Sequence, residues 1–238
     1  MLRSLFGIQL FAGVLVVVAL AALGLAVLPG SADVPDPTTS SCAVVINQAP
    51  LVPRCVNNFE PDVVRLSPAA AAVPPHDTAT FNVVARDVNG DPIEGALVSL
   101  FESGNLNIAN GGATTALTAS DGSASIAVSA ASGYGRASVC VAGVDLCQVL
   151  IRTPDINRSA QPTVMCLVGT GASSVAGADI TNPMCGFLVN FGSTTSGVND
   201  HCDLDCSGAV NGFDINGPSG VIQYFGDTGT LGPFNTCP

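Results

Sequence analysis

The segment 203–214 reads Asp-Leu-Asp-Cys-Ser-Gly-Ala-Val-Asn-Gly-Phe-Asp. Counted from Asp203, oxygen-bearing side chains fall at positions 1, 3, 5, 9 and 12: Asp203, Asp205, Ser207, Asn211 and Asp214. Gly208 stands at position 6 and Ala209 at position 7. This is the spacing of a calcium loop. Alternate side chains turn inward, a glycine permits the sharp bend, and the main-chain carbonyl at position 7 adds a ligand. Calcium is a hard cation that takes oxygen donors, and three carboxylates more than balance its charge. Position 12 is Asp214 where a bidentate Glu is usual, so the last ligand is shorter. The same residues can also close a turn on their own hydrogen bonds, with no ion.

The loop has an internal echo. Val175, Asp179, Ile180 and Pro183 are spaced like Val210, Asp214, Ile215 and Pro218, and Phe191-Gly192 matches Phe225-Gly226. A duplicated loop–helix unit follows from this. The first copy opens with Asp155, Asn157 and Ser159, and Asp179 takes the last position. It then departs from the pattern: residues 160–174 are inserted, and Ala176 replaces the oxygen at position 9. A helix is expected to leave from Asp214 with Ile215, Val221, Ile222 and Phe225 on one apolar face. Pro218 is tolerated only near a helix start.

On these residues, 155–226 resembles dockerin domains, whose duplicated calcium loops each lead into a helix. The second repeat is a specific match and the first a partial one. The resemblance implies calcium as cofactor, held by Asp203, Asp205, Ser207, the Ala209 carbonyl, Asn211 and Asp214. Asp155, Asn157, Ser159 and Asp179 follow for the first copy. It also implies a partner, a cohesin-like module within an extracellular assembly, often a polysaccharide-degrading one.

The elements ahead of this region are strands. Candidates are 63–66, 79–88, 96–102, 113–119, 123–130, 137–141 and 146–152, several alternating apolar and polar residues as in Thr80-Phe81-Asn82-Val83. Val88-Asn89-Gly90-Asp91-Pro92 and Ser120-Asp121-Gly122 supply turns between them. Seven short strands with regular turns predict a β-sandwich. The run from Thr80 through Asp91-Pro92 to Ala96, with Ala119-Ser120-Asp121-Gly122 and Gly135-Arg136-Ala137, resembles bacterial immunoglobulin-like domains of the invasin type. That resemblance implies an extracellular spacer or adhesive module. Asp87, Asn89 and Asp91 read as a hairpin turn, since no downstream acid completes a cation loop.

The N-terminus points to export. Arg3 precedes an uncharged run, dense in Leu, Val and Ala over 5–28, which ends at Pro29-Gly30-Ser31-Ala32. Its length would span a bilayer, while the breaker and small residues suit cleavage before Asp33. Either way, 33–238 lies outside the cytoplasm, and only 4–28 would meet a membrane. All nine cysteines follow this run, where disulfides persist. A two-residue turn at Gly143-Val144 would set Cys140 opposite Cys147 and predict that pair. Cys42–Cys55 and Cys166–Cys185 are predicted as local pairs. His201, Cys202, Cys206 and Cys237 could alternatively form a zinc set; export and the calcium pattern favour disulfides.

Composition excludes other classes. With 18 acids, 7 Arg, no Lys and net charge -11, the chain cannot neutralise nucleic-acid phosphates. Two His and no Lys leave few general bases, and no nucleophile or Walker motif occurs, so no enzyme activity is expected. Paired carboxylates such as Glu94 and Glu102 would be the resource of a polysaccharide hydrolase, the remaining alternative. The expected fold class is mostly β with a small α C-terminal module: an immunoglobulin-like sandwich plus a dockerin-like pair of calcium loop-helix repeats. Its boundaries are signal or anchor 1–32, linker 33–61, sandwich 62–152 and calcium module 153–238. The function expected is docking onto the cohesin-type partner, or alternatively a calcium-stabilised surface adhesion or structural role without that partner.

Overall fold

Alternation decides the middle of the chain. In the strand Thr78–Val84 every second residue, Ala79, Phe81 and Val83, is buried while Asn82 faces out. The computed structural model describes residues 34–47, 63–69, 76–104, 106–108, 114–156, 172–194, 200–230 and 237. The run 4–28, Cys55, Asn157, Ser159 and Cys166 lie outside them. Among the described residues no helix is long and apolar enough to cross a membrane.

The strands are β1 (Ser41–Asn47), β2 (Val63–Arg65), β3 (Thr78–Val84), β4 (Leu97–Glu102), β5 (Asn107–Ile108) and β6 (Thr115–Leu117). They continue with β7 (Ser123–Val128), β8 (Ala131–Ser132), β9 (Gly135–Val141), β10 (Val144–Arg152), β11 (Ala172–Ser174) and β12 (Thr228–Thr230). One sheet has the order β1-β3-β7 and a second the order β2-β10-β9-β4-β6. Phe81 opposes Ile126 in the first sheet, and Leu100 opposes Val139 in the second. All four belong to one buried core, so the two sheets form a sandwich. The protein is mostly β, with the strand order of an immunoglobulin-like fold.

Strand β1 falls inside the segment 33–61 expected to be a linker. Its Cys-Ala-Val-Val-Ile run pairs with β3 over all seven residues. The Pro-, Ser- and Thr-rich flank hides it in sequence, yet β-branched residues on a half-buried edge suffice for a strand. Residues Pro35–Pro238 form one compact unit, so the sandwich and the C-terminal region are not separate bodies.

The cysteine pairing differs from expectation. Ala142 and Gly143 both have positive φ, 46° and 88°, which makes them the two central residues of a type I′ turn. Val141 therefore opposes Val144, and Cys140 opposes Asp145. A bulge between Asp145 and Cys147 then sets Cys147 opposite Val139. Cys147 thus turns to the core side with Val139, while Cys140 stays on the outer face. Cys147 bonds Cys42 between the two sheets, and Cys140 bonds Cys237, with Cα separations of 5.8 and 5.7 Å. The expected pairs Cys140–Cys147 and Cys42–Cys55 are corrected accordingly. Cys185 is disulfide-bonded, and the pair predicted for it with Cys166 involves a residue outside the described set.

One glycine is required by close approach. At Gly122 φ is +80° and an added Cβ would meet the Ala85 carbonyl oxygen at 2.4 Å. That carbonyl cannot retreat without breaking its bond with the Ile93 amide. Gly122→Ala is expected to cost about 3 kcal/mol, read as a lowered urea midpoint with unchanged slope.

Candidate metal centre in the C-terminal loop

Three short helices order the C-terminal region: α1 (Gly177–Thr181), α2 (Phe187–Asn190) and α3 (Gly212–Asn216). A 3₁₀ turn, Val221–Tyr224, follows α3. The single helix expected from Asp214 onward is broken in two. An added Cβ on Gly217 would meet the Phe213 carbonyl oxygen at 2.4 Å, and Pro218 follows directly. Val221 is consequently buried while Ile222 and Phe225 are exposed, so the expected apolar face does not form.

The two halves of this region repeat in space. Val175 donates to Asp227 O and accepts from the Gly226 amide; Val210 donates to Ser193 O and accepts from the Gly192 amide. Each half thus closes its start onto the end of the other. The core repeats too, with Ile156 and Leu204, Val175 and Val210, and Phe187 and Val221 as buried counterparts. At each helix start the third residue is an aspartate reaching back to the cap: Asp179 accepts from Ala176 N at 2.7 Å, and Asp214 from Asn211 N at 2.8 Å.

The loop 203–214 brings its acids together. Carboxylate oxygens of Asp203, Asp205 and Asp214 lie within 4.8 Å of one another. Asp203 accepts from the Ser207 and Gly208 amides at 3.0 and 3.1 Å, and Asp205 also accepts from Ser207 at 3.0 Å. Asp214 accepts from the Asp205 amide at 3.0 Å, closing the loop's end onto its beginning. Two positive-φ residues, Cys206 at 57° and Gly208 at 87°, permit the reversal. Ser207 Oγ and Ala209 O lie 3.1 Å apart, and the Asn211 amide donates to both, at 2.9 and 3.0 Å.

This oxygen set fits a hard divalent ion. Oxygens on opposite sides of calcium are about 5 Å apart, and the three carboxylates lie within that limit of one another. Each carboxylate has lone pairs left after its backbone bonds. In the first copy Asp155 and Asp179 are fully buried, and Asp179 also accepts from the Ile156 amide at 2.9 Å. Its remaining predicted ligands, Asn157 and Ser159, lie outside the described residues.

Burial, together with the charge of Asp214, raises the Asp203 carboxyl to about 6, against the pull of the Gly208 amide. Burial likewise raises Asp214, with the Asp205 charge adding to it. A carboxyl raised in the folded state stabilises below its unfolded value, 3.8, and loses that contribution as pH climbs through about 6. The ion-free chain should therefore lose stability over that window. An ion needs both groups ionised, so calcium-induced stabilisation should be slight near pH 4.5 and full above about pH 7. Melting curves with calcium and with chelator across that range test this.

Other predicted site residues have structural roles. Cys237 and Cys206 are disulfide-bonded, and Cys202 is a buried free thiol, which removes the zinc alternative. Burial pushes that thiol up to about 12. Glu94 is exposed before β4 and Glu102 ends it, accepting from the Ile108 amide at 2.9 Å. Eight residues of mostly extended chain put these acids roughly 20–25 Å apart, too far for a hydrolase pair. Asp87 takes the Asn89 and Asp91 amides at 2.9 Å each, the hairpin turn expected of it.

A residue not singled out from sequence is Arg152. It ends β10, is fully buried, and donates from Nη1 to the Asp203 carbonyl at 2.7 Å. An arginine at the end of an apolar strand, three residues before the first acid, was the available signal.

No protein-family model matches the chain, and no curated protein matches it in sequence. Two solved structures resemble it in part. The D00-D0 domain of intimin shares 11% identity over 52% of this chain and 50% of that chain, with a TM-score of 0.28. A C-terminal 282-residue fragment of intimin, in complex with the intimin-binding domain of the translocated intimin receptor, shares 14% over 56% and 43%, with a TM-score of 0.27. The chain spans about half the length of the intimin chains it matches. Likeness of this degree assigns no function.

Proposed function

We propose that this is an exported, non-catalytic surface protein, adhesive or structural, whose C-terminal region is locked onto a β-sandwich by calcium. The observation carrying this reading is the convergence of Asp203, Asp205 and Asp214 in a loop closed end to end by Asp214. Calcium supplies the charge that lets three ionised carboxylates share that loop. The residues do the rest: Asp214 caps α3, Asp203 organises the bend, and Ser207, Ala209 and Asn211 present neutral oxygens. Isothermal titration of the chelated full chain, in detergent because of residues 4–28, tests the reading. It predicts a binding heat that Asp203→Ala removes. Absence of heat in the wild type overturns it.

A second reading, docking onto a cohesin-type partner, is favoured by a separate observation. Leu188 and Phe191 after the first loop, and Ile222 and Phe225 after the second, are exposed large apolar residues at matching positions. Exposed apolar residues in register with an internal duplication form two similar surfaces. Capture by immobilised cohesin modules, lost with chelator and with Phe191→Asp plus Phe225→Asp, would support docking. No capture in calcium leaves the adhesive or structural reading in force.

A further inference from the structure

The sandwich and the C-terminal region meet through buried polar contacts rather than a linker. Gly133 donates to Asp155 O at 2.7 Å, and Thr153 Oγ donates to Gly133 O at 2.8 Å. Ser67 Oγ donates to Asp227, and Tyr134 stacks on His201 with ring centroids 4.5 Å apart. An added Cβ on Gly229 would meet the Pro68 carbonyl oxygen at 2.2 Å, so the two surfaces touch backbone to backbone. Arg152 differs from these contacts because it reaches the candidate ion loop itself.

Burying a guanidinium costs several kcal/mol unless its protons meet acceptors. Arg152 is 1% exposed, and one of its acceptors is the carbonyl of the loop's first acid. Its Nη1 also lies 3.5 Å from Cys206 Sγ, so the guanidinium abuts the loop at two residues. In register across the sheet Arg152 is matched by Arg65, which instead pairs with Asp77 at 3.3 Å and bonds no loop residue. Charge adds to the geometry. Three carboxylates less one guanidinium leave two negative charges, which one divalent cation neutralises.

We propose that Arg152 is a positioning residue joining the loop 203–214 to β10, so that filling the loop and docking the C-terminal region on the sandwich are one linked equilibrium. The proposal rests on the calcium reading of that loop. Calcium fixes Asp203, the fixed Asp203 carbonyl holds Arg152, and Arg152 holds the end of β10 beside β2. By linkage, whatever tightens the docked joint tightens calcium to the same degree.

The test is hydrogen exchange of the full chain with and without calcium, read at the β10 and β2 amides, beside a calorimetric calcium titration of the same sample. In wild type, calcium should slow exchange at Leu150 and Ile151 about tenfold or more. Arg152→Met should still give a binding heat, with the calcium-dependent slowing reduced at least threefold. Arg65→Met, which removes a buried arginine from the same sheet without touching the loop, should keep the slowing. Arg152→Lys retains the charge and serves if the methionine variant fails to fold; it should show an intermediate response. A wild-type binding heat with no slowing at β10 overturns the coupling and leaves the calcium loop standing. Equal slowing in Arg152→Met and wild type does the same. No binding heat in wild type overturns the loop reading, and the coupling with it.

Discussion

Adding calcium to the chelated chain at pH 7.5 should raise its melting temperature by about 5–10 °C, and Asp214→Ala should erase that rise. An ion at a hundred times its dissociation constant stabilises by about 2.7 kcal/mol, and each kcal/mol moves a unit of this size by about 2–4 °C. Asp214 is the sensitive position because it does two things at once. It contributes a carboxylate to the cluster, and it ties Asn211 and Asp205 to the start of α3. Removing it should also lower ion-free stability by about 1 kcal/mol through the lost cap, partly offset by relief of repulsion from Asp203 and Asp205. Asp214→Asn separates the two roles. Its one carbonyl oxygen can keep the cap bond from Asn211, but its NH2 then faces the Asp205 amide, so ion-free melting should drop modestly while the calcium response is lost. A full response in Asp214→Ala would mean that the ion is bound elsewhere.

What was legible in sequence was local. The spacing of Asp203, Asp205 and Asp214 encodes a reversal that Gly208 completes within a dozen residues, and those acids do meet. Strand positions such as 123–128 and 97–102 follow from alternation, which is likewise a near-neighbour property. Most of the features missed depend on register or on distant partners. A turn placed one residue later than the actual Ala142-Gly143, with no bulge at Leu146, puts Cys140 and Cys147 on the same face instead of opposite faces. β1 is a strand only because β3 lies beside it. The helix after Asp214 breaks because Gly217 turns extended ahead of Pro218, a stop that was visible in sequence but that the apolar periodicity was allowed to override. Arg152 gains a role only when the loop 51 residues away folds onto it.

The second large effect should come from Cys140–Cys237. This bond closes a segment of 97 residues and ties Cys237 to the outer face of β9. In the chain-entropy picture a loop of that length stabilises by about 4–5 kcal/mol. The double variant Cys140→Ser plus Cys237→Ser is therefore expected to melt about 10 °C or more below wild type in calcium. Cys42–Cys147 closes a similar span of 105 residues, but it joins the two sheets directly across the core edge. Its loss should loosen the sandwich and leave the loop 203–214 able to bind. The two bonds thus make different demands. Losing Cys140–Cys237 removes one covalent tie between the C-terminal region and β9, so the docked region must then rely on Arg152, Ser67–Asp227 and the ion itself. Chelator should consequently destabilise the Cys140/Cys237 variant more steeply than wild type, because two of the restraints on one joint are removed together. Peptide mapping without reduction checks the premise: a fragment joining Cys140 to Cys147 would overturn it, and fragments joining Cys140 to Cys237 and Cys42 to Cys147 are the expected result.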